Sequence, residues 1–222
     1  MPRTQPRPAR RDQRTRAARA DGRRARDELL NAALRVFARR GYRDAGVDEI
    51  AAEAGYSKGA LYWHFSGKEE LLGALLEERI DAPMRDRVAL LASAPPERDM
   101  SLEATREFAR QVEEQREAMQ LEREYWALAI RDPDLRARYA ARQAELRDAL
   151  ATGMEARARH LGTPDLGTPA PDVARIVMAI IGGLAIDELV EPGSVRPDLL
   201  GEALAIVYAG LVARAEARGG ES

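Results

Sequence analysis

The sequence predicts an all-α protein of about nine helices arranged in two modules. Three observations carry this prediction. Apolar residues recur at three- and four-residue spacing along most of the chain, no stretch alternates with period two, and Gly, Pro, Asp and Ser signals separate the apolar stripes. With 222 residues, 45% of them hydrophobic, the chain is long and apolar enough to bury a real core.

A first helix is expected from about Arg24 to Arg40, since Leu30, Ala33, Leu34 and Phe37 form one stripe and Gly41 follows as a stop. Val47, Ile50, Ala51 and Ala54 make a short second helix ended by Gly55. Ser57 then caps a third, with Leu61 and Phe65 as its inward stripe. Ser66-Gly67-Lys68-Glu69 reads as a capping box opening a fourth helix, which carries Leu71, Leu72, Leu75, Leu76 and Ile80 inward until Pro83 interrupts or bends it. Beyond the turn at Ala94-Pro95-Pro96, Leu102, Thr105, Phe108, Ala109, Val112 and Met119 stripe a fifth helix, and Leu121, Tyr125 and Leu128 a sixth. Asp132-Pro133 starts a long seventh helix that ends near Leu161-Gly162. An eighth runs from about Asp172 to Val190, and a ninth starts at Pro197 and carries Leu200, Leu204, Val207 and Leu211. The last two are apolar on most faces, which asks for more burial than one small module provides. Gly182-Gly183 in mid-helix suggests a close helix approach there.

Composition removes several classes of function. There is no cysteine, hence no disulfide framework and no thiolate zinc site, and His64 and His160 are the only histidines. No apolar run reaches the roughly eighteen residues of a membrane span, and no apolar core follows the N-terminal arginines. A cytoplasmic protein is expected. No glycine-rich phosphate loop, metal-ligand spacing or converging catalytic set is present, so neither enzyme activity nor a cofactor is expected. Asp132 and Asp134 read as helix-start residues, and Glu77-Glu78 and Glu113-Glu114 as solvated faces.

The residues from Val47 to Lys68 point to double-stranded DNA. Two short helices joined at Gly55 form a helix-turn-helix whose outward face is Lys58, Gly59, Ala60, Tyr62, Trp63 and His64. Small residues permit close approach, and the aromatic edges and donors suit bases and phosphates. Charge is distributed unevenly. Residues 1–26 hold ten arginines against Asp12 and Asp21, a balance of +8, whereas residues 27–80 hold seven basic and ten acidic side chains. An arginine-rich arm over residues 1–23, disordered when free, is therefore expected to supply electrostatic attraction to phosphate, with Arg23 and Arg24 among the DNA-binding candidates. The only lysines, Lys58 and Lys68, both fall in the reading segment.

These residues resemble the tetracycline-repressor (TetR) family of transcriptional regulators, through Ala33 to Tyr42, V-D-E-I-A-A-E-A-G, S-K-G-A-L-Y-W-H-F and S-G-K-E-E-L-L. The resemblance covers Arg26 to about Leu76; beyond that it extends only to helix number and layout. It implies a homodimer on a palindromic operator, with residues 24–67 as the DNA-binding domain and 68–218 as a ligand-binding and dimerisation domain. Lys58, Gly59 and Ala60 would approach bases, Trp63 a thymine methyl or sugar, and Tyr62, His64 and Lys68 phosphates, while Ser57 caps the reading helix. The family's usual Thr or Ser at the start of the second helix is replaced by Ala45 and Gly46. An unidentified small-molecule effector would meet Phe108, Val112, Met119, Glu122, Tyr125, Trp126, Tyr139 and Met178, and Arg123 and Asp187 are further polar candidates. Dimerisation would use Ile180, Ile181, Gly182, Gly183, Leu204, Val207 and Leu211. A ligand-released repressor is expected first, and a DNA binder whose second domain only dimerises or holds a protein partner is the alternative.

Overall fold

The computed structural model describes residues 10–94, 100–160, 162 and 167–219, and within them all regular structure is helical. Helices α1 (Arg10–Asp44), α2 (Val47–Glu53), α3 (Lys58–His64) and α4 (Lys68–Leu76) are followed by a π turn over Glu77–Asp81 and by α5 (Ala82–Ser93). Then come α6 (Met100–Glu114), α7 (Arg116–Ala129), α8 (Pro133–His160), α9 (Ala170–Val190) and α10 (Leu199–Gly219). The chain divides into two compact units, the first ending at Leu75 and the second beginning at Leu76. The sequence places a boundary at residue 67; between the two positions Leu71, Leu72 and Leu75 of α4 are buried.

In the first unit the core is formed by Leu29, Leu30, Val36 and Phe37 of α1, Ile50 and Ala51 of α2, Leu61 of α3, and Phe65 just beyond it. The stripe on α1 is shifted from the expected one: Leu34 is only half-buried, and Ala32 and Val36 take its place. Gly41, at φ 75° and ψ 162°, breaks the helix where a stop was anticipated, and a further turn carries it on to Asp44. The start of α1 departs from expectation. Residues 10–23, anticipated as part of a disordered arm, are helical from Arg10 onward. Their Arg, Ala and Gln content has high helix propensity, so a fold already nucleated downstream propagates through them; residues 1–9 lie outside the described residues.

The expected fourth helix is divided. Pro83 has no N–H for the carbonyl of Arg79, and the ladder just before it slips to five-residue spacing, with the Ala82 amide donating to the Glu77 carbonyl. The capping reach at its start also differs, since the Ser66 amide donates to Glu70 at 2.7 Å where Glu69 was expected.

In the second unit α5 packs on α8, α8 on α7 and α9, and α10 on α6 and α9. Val88, Leu150, Ala151, Ala174 and Val177 form a buried cluster between α5, α8 and α9. The expected fifth helix ends early: Gln115, at φ −112° and ψ 20°, separates α6 from α7 and places Met119 on α7. Each of these helices follows its own partner, α6 packing with α10 and α7 with α8, so one straight helix could not serve both. The start of α8 is as anticipated, with the Asp132 carboxylate accepting from the amides of Asp134 and Leu135 at 2.9 and 3.1 Å. Gly162, at φ 76°, stands just beyond its end.

A side chain also satisfies the first turn of α10. The buried Thr105 hydroxyl on α6 accepts from the Gly201 amide at 3.0 Å. Replacing Thr105 with valine keeps the volume and leaves that amide without a partner, so the second unit should lose about 1–3 kcal/mol. A denaturant midpoint equal to that of the parent chain would show that the bond contributes nothing.

Candidate nucleic-acid interface and ligand cavity

The reading helix is held from behind and open in front. Leu61 and Phe65 are buried on its inner side, while Tyr62 is 46% and Trp63 78% exposed on the outer side. Ser57 caps α3 as expected, its hydroxyl accepting from the Ala60 amide at 3.2 Å. The helix ends at His64, since Phe65 takes extended angles of φ −139° and ψ 131°. His64 meets Trp63 edge-on, 4.6 Å between ring centroids. Burial, with the Arg26 charge adding to it, lowers the His64 imidazole below its ordinary value, so at neutral pH it is a neutral group.

Lys58 and Lys68 have different surroundings. The Lys58 ammonium is exposed and lies 2.8 Å from the Asp48 carboxylate at the start of α2, which raises its pKa. Lys68 turns inward, donating to the carbonyls of Arg43 and Ala45 at 2.9 and 3.2 Å, with its ammonium 4.7 Å from the Tyr42 ring centroid. Lys68, expected at a phosphate, satisfies carbonyls where α1 ends, a region rich in unpaired acceptors. Gly46 caps α2 without a side-chain hydrogen bond, as the missing hydroxyl implied.

The acidic count of this unit is largely balanced locally. Glu53 accepts from Arg35 and Arg39 at 2.9 and 2.8 Å, which hold its carboxyl below the ordinary value, and Glu49 accepts from Arg40. Glu28 takes the Tyr56 hydroxyl and pairs with Arg24, while Arg23 is exposed. The helical extension reaches the reading face, for a Cβ on Gly22 would lie 3.9 Å from Trp63 Cζ3. Sequence reasoning missed Asp48, whose placement opposite Lys58 depends on how α2 and α3 cross.

The second unit contains a cavity of about 540 Å³. From α5 it is lined by Met84, Arg87, Val88 and Leu90, and from α6 by Arg106, Glu107, Phe108, Arg110 and Gln111. Leu150 of α8, Val177 and Ile181 of α9, and Leu200 and Leu204 of α10 complete it. Arg87 donates to Glu107 at 3.1 Å and to the Gln111 side-chain oxygen at 2.6 Å.

Residues 29–75 match the pattern of bacterial regulatory proteins of the TetR family, and residues 95–213 match that of the C-terminal domain of BetI-type transcriptional repressors. The chain belongs to the TetR family. The HTH-type regulator TtgW of Pseudomonas putida, itself called uncharacterised, is 47% identical over 60 residues, which are 27% of this chain and 45% of TtgW. The chain thus spans less than half the length of the curated relatives it matches. SmeT, repressor of the Stenotrophomonas maltophilia multidrug efflux pump SmeDEF, is 26% identical with a TM-score of 0.60 over 83% of this chain and 89% of SmeT. The multidrug binding protein EbrR, solved with ethidium, is 25% identical with a TM-score of 0.57 over 82% of this chain and 97% of EbrR.

In this TetR-family chain the ligand candidates are largely displaced from the cavity. Of the eight expected residues only Phe108 lines it. Val112 and Met119 are buried in the core, Met178 packs beside the Val88 cluster, and Trp126 is exposed. Glu122, Tyr125 and Tyr139 belong to a separate group of side chains around Arg142. Arg142 donates to Asp81 at 2.5 and 2.7 Å and to Glu122 at 3.0 Å, while Gln143 joins Glu122 to the Tyr139 hydroxyl and Tyr125 stacks edge-on to Tyr139. Bulk and polarity point to these residues, but what lines a cavity depends on which helix faces meet, and the sequence marks α5 only as a continuation of the fourth helix beyond Pro83.

The expected dimer residues are divided as well. Ile181 and Leu204 line the cavity, Leu211 is buried in its own unit, and Gly182 lies against Arg123, where a Cβ would sit 3.4 Å from Nη2. Ile180 and Val207 are half-buried and Gly183 is exposed. The apolar residues left open are Ile176, Ile186 and Val190 on α9 and Ile206 and Tyr208 on α10, with Val190 80% and Ile206 73% exposed. No helix among the described residues is long and apolar enough to cross a membrane.

Proposed function

We propose that the chain is a dimeric repressor that binds a palindromic operator through α3 and is released when a small molecule fills the cavity between α5, α6, α8, α9 and α10. The carrying observation is that cavity, about 540 Å³ with predominantly apolar walls. It is open to solvent on one side and walled mostly by Leu, Ile, Val, Met and Phe side chains with a few polar groups, the concave and mainly apolar form that small-molecule sites take. That EbrR was solved with ethidium and SmeT with triclosan supports the same role for the space in this chain.

On DNA, exposed Trp63 and Tyr62 supply apolar and hydroxyl contacts, and Lys58 exchanges its Asp48 partner for a base or phosphate. Gly59 and Ala60 let the backbone approach, and His64 acts as a neutral group. Arg23, exposed on the extension beside Trp63, adds attraction to phosphate. The open apolar face of α9 and α10 pairs with the same face of a second copy, the self-complementary arrangement most homodimers use. Effector binding shifts the population towards a form with lower operator affinity, by no more than its differential affinity for the two forms.

Selection of bound fragments from random DNA should return an inverted repeat, and Ile206→Arg should give monomers with weakened operator binding. Leu204→Trp should fill the cavity, keep operator binding and remove the response to effector. A single asymmetric site would sink the palindromic reading. Unchanged effector response in Leu204→Trp would place the effector outside this cavity.

A further inference from the structure

The cavity has one polar side. Every polar residue lining it comes from α5 or α6, whereas α8, α9 and α10 contribute only Leu and Ile or Val side chains. On the polar side three arginines, Arg87, Arg106 and Arg110, line the cavity beside one acidic residue, Glu107. Glu107 is already shared, accepting from Arg87 at 3.1 Å and from Arg110 at 2.7 and 2.8 Å. Glu114 takes a further bond from Arg110 at 3.2 Å, and Asp86 acts on Arg87 as well, but neither carboxylate lines the cavity.

The open hydrogen-bonding capacity is therefore of one kind. Gln111, a residue 7% exposed, gives its oxygen to Arg87 at 2.6 Å, which leaves its amide nitrogen as a donor without a partner among the described residues. Arg87 has more N–H groups than its three acceptors, Glu107, Gln111 and the Met84 sulfur, can occupy. Burial lowers the Arg87 guanidinium below its ordinary value, and Glu107 does not make up the difference. A further anion beside it would.

We propose that the effector is an apolar organic acid, its hydrocarbon body against Val177, Ile181, Leu200 and Leu204 and its carboxylate accepting from Arg87 and the Gln111 amide. This rests on the reading of the cavity as the effector site and adds the chemical class. A carboxylate brings acceptors to a wall that has surplus donors, and charge-assisted bonds of this type are about twice as strong as neutral ones. A cationic head group would meet like charge there.

The test compares three ligands with one tail, decanoate, decanol and decyltrimethylammonium, each titrated calorimetrically below its micellar concentration into the full-length chain. Decanoate should bind at least about tenfold more tightly than decanol, and decyltrimethylammonium most weakly. Arg87→Met should weaken decanoate about tenfold while changing decanol less than about threefold. Gln111→Leu, a second variant should the first fail to fold, should weaken decanoate several-fold. Decanol or the ammonium binding as tightly as decanoate, or decanoate indifferent to both substitutions, overturns the organic-acid class and leaves the cavity as a ligand site. If none of the three binds, the effector-site reading falls with it.

Discussion

Arg142→Met is expected to cost the second unit about 3–5 kcal/mol, the penalty for removing one partner of a buried ion pair. Asp81 is 1% exposed and Glu122 8% exposed, and both direct their carboxylates at the Arg142 guanidinium. Burial works against the Arg142 charge, but the two carboxylates outweigh it and hold that guanidinium above its ordinary value. Methionine fills similar space and leaves two carboxylates without their cation. The loss should depend on pH in a definite direction. Burial already raises the Asp81 carboxyl, an effect the two Arg142 bonds only partly offset, and without Arg142 it rises further. A carboxyl raised in the folded state binds protons preferentially there, so its contribution to stability is greatest below the unfolded value and falls as pH rises through the folded one. The deficit of Arg142→Met is thus smallest in acid and grows towards neutral pH. A deficit independent of pH would mean that lost packing, not the uncompensated carboxylates, dominates. Asp81 closes the π turn, so the same variant should speed amide exchange at Glu77–Asp81.

Gly153→Ala should destabilise the second unit although alanine is the better helix former. A Cβ at this position of α8 would lie 2.1 Å from Val88 Cγ1 on α5 and 3.4 Å from the Val88 carbonyl oxygen. Valine has one strongly preferred rotamer in a helix and Val88 is buried, so its methyl has no easy retreat and α5 must move from α8. Overpacking of this kind costs about 1–3 kcal/mol, against which alanine returns about 1 kcal/mol of helix propensity. A net loss of up to about 2 kcal/mol in denaturant midpoint is the expected result. Val88→Ala in the same chain should recover part of it, as a double-mutant cycle would show. Gly73, mid-helix in α4 with nothing within 4 Å of an added Cβ, is the control: Gly73→Ala should stabilise. Equal responses at the two glycines would remove the steric account. Because Val88 also lines the cavity, Gly153→Ala should alter effector affinity too.

Local signals in the chain stated much of this in advance. Ser57, Asp132 and Gly41 act within a turn or two of their own positions, and each caps or breaks a helix where its side chain or left-handed freedom allows. The reading face was legible for the same reason, since Leu61 and Phe65 on one side place Tyr62 and Trp63 on the other. Lys68 was not legible. Its type and position suited phosphate, but the carbonyls it meets come from Arg43 and Ala45, more than twenty residues back. Arg142 is a similar case, sixty-one residues from Asp81.

Periodicity, capping and glycine stops are short-range properties, and they suffice for an all-helical chain, the helix-turn-helix, which of its residues face outward and the family to which they belong. Tertiary structure alone decided where the cavity lies, that Ile181 and Leu204 line it while Ile206 and Val190 stay open, and which charges are paired. Those outcomes depend on which helix faces meet, and a helix apolar on most sides, as α9 and α10 are, carries no local mark of the side that will be enclosed.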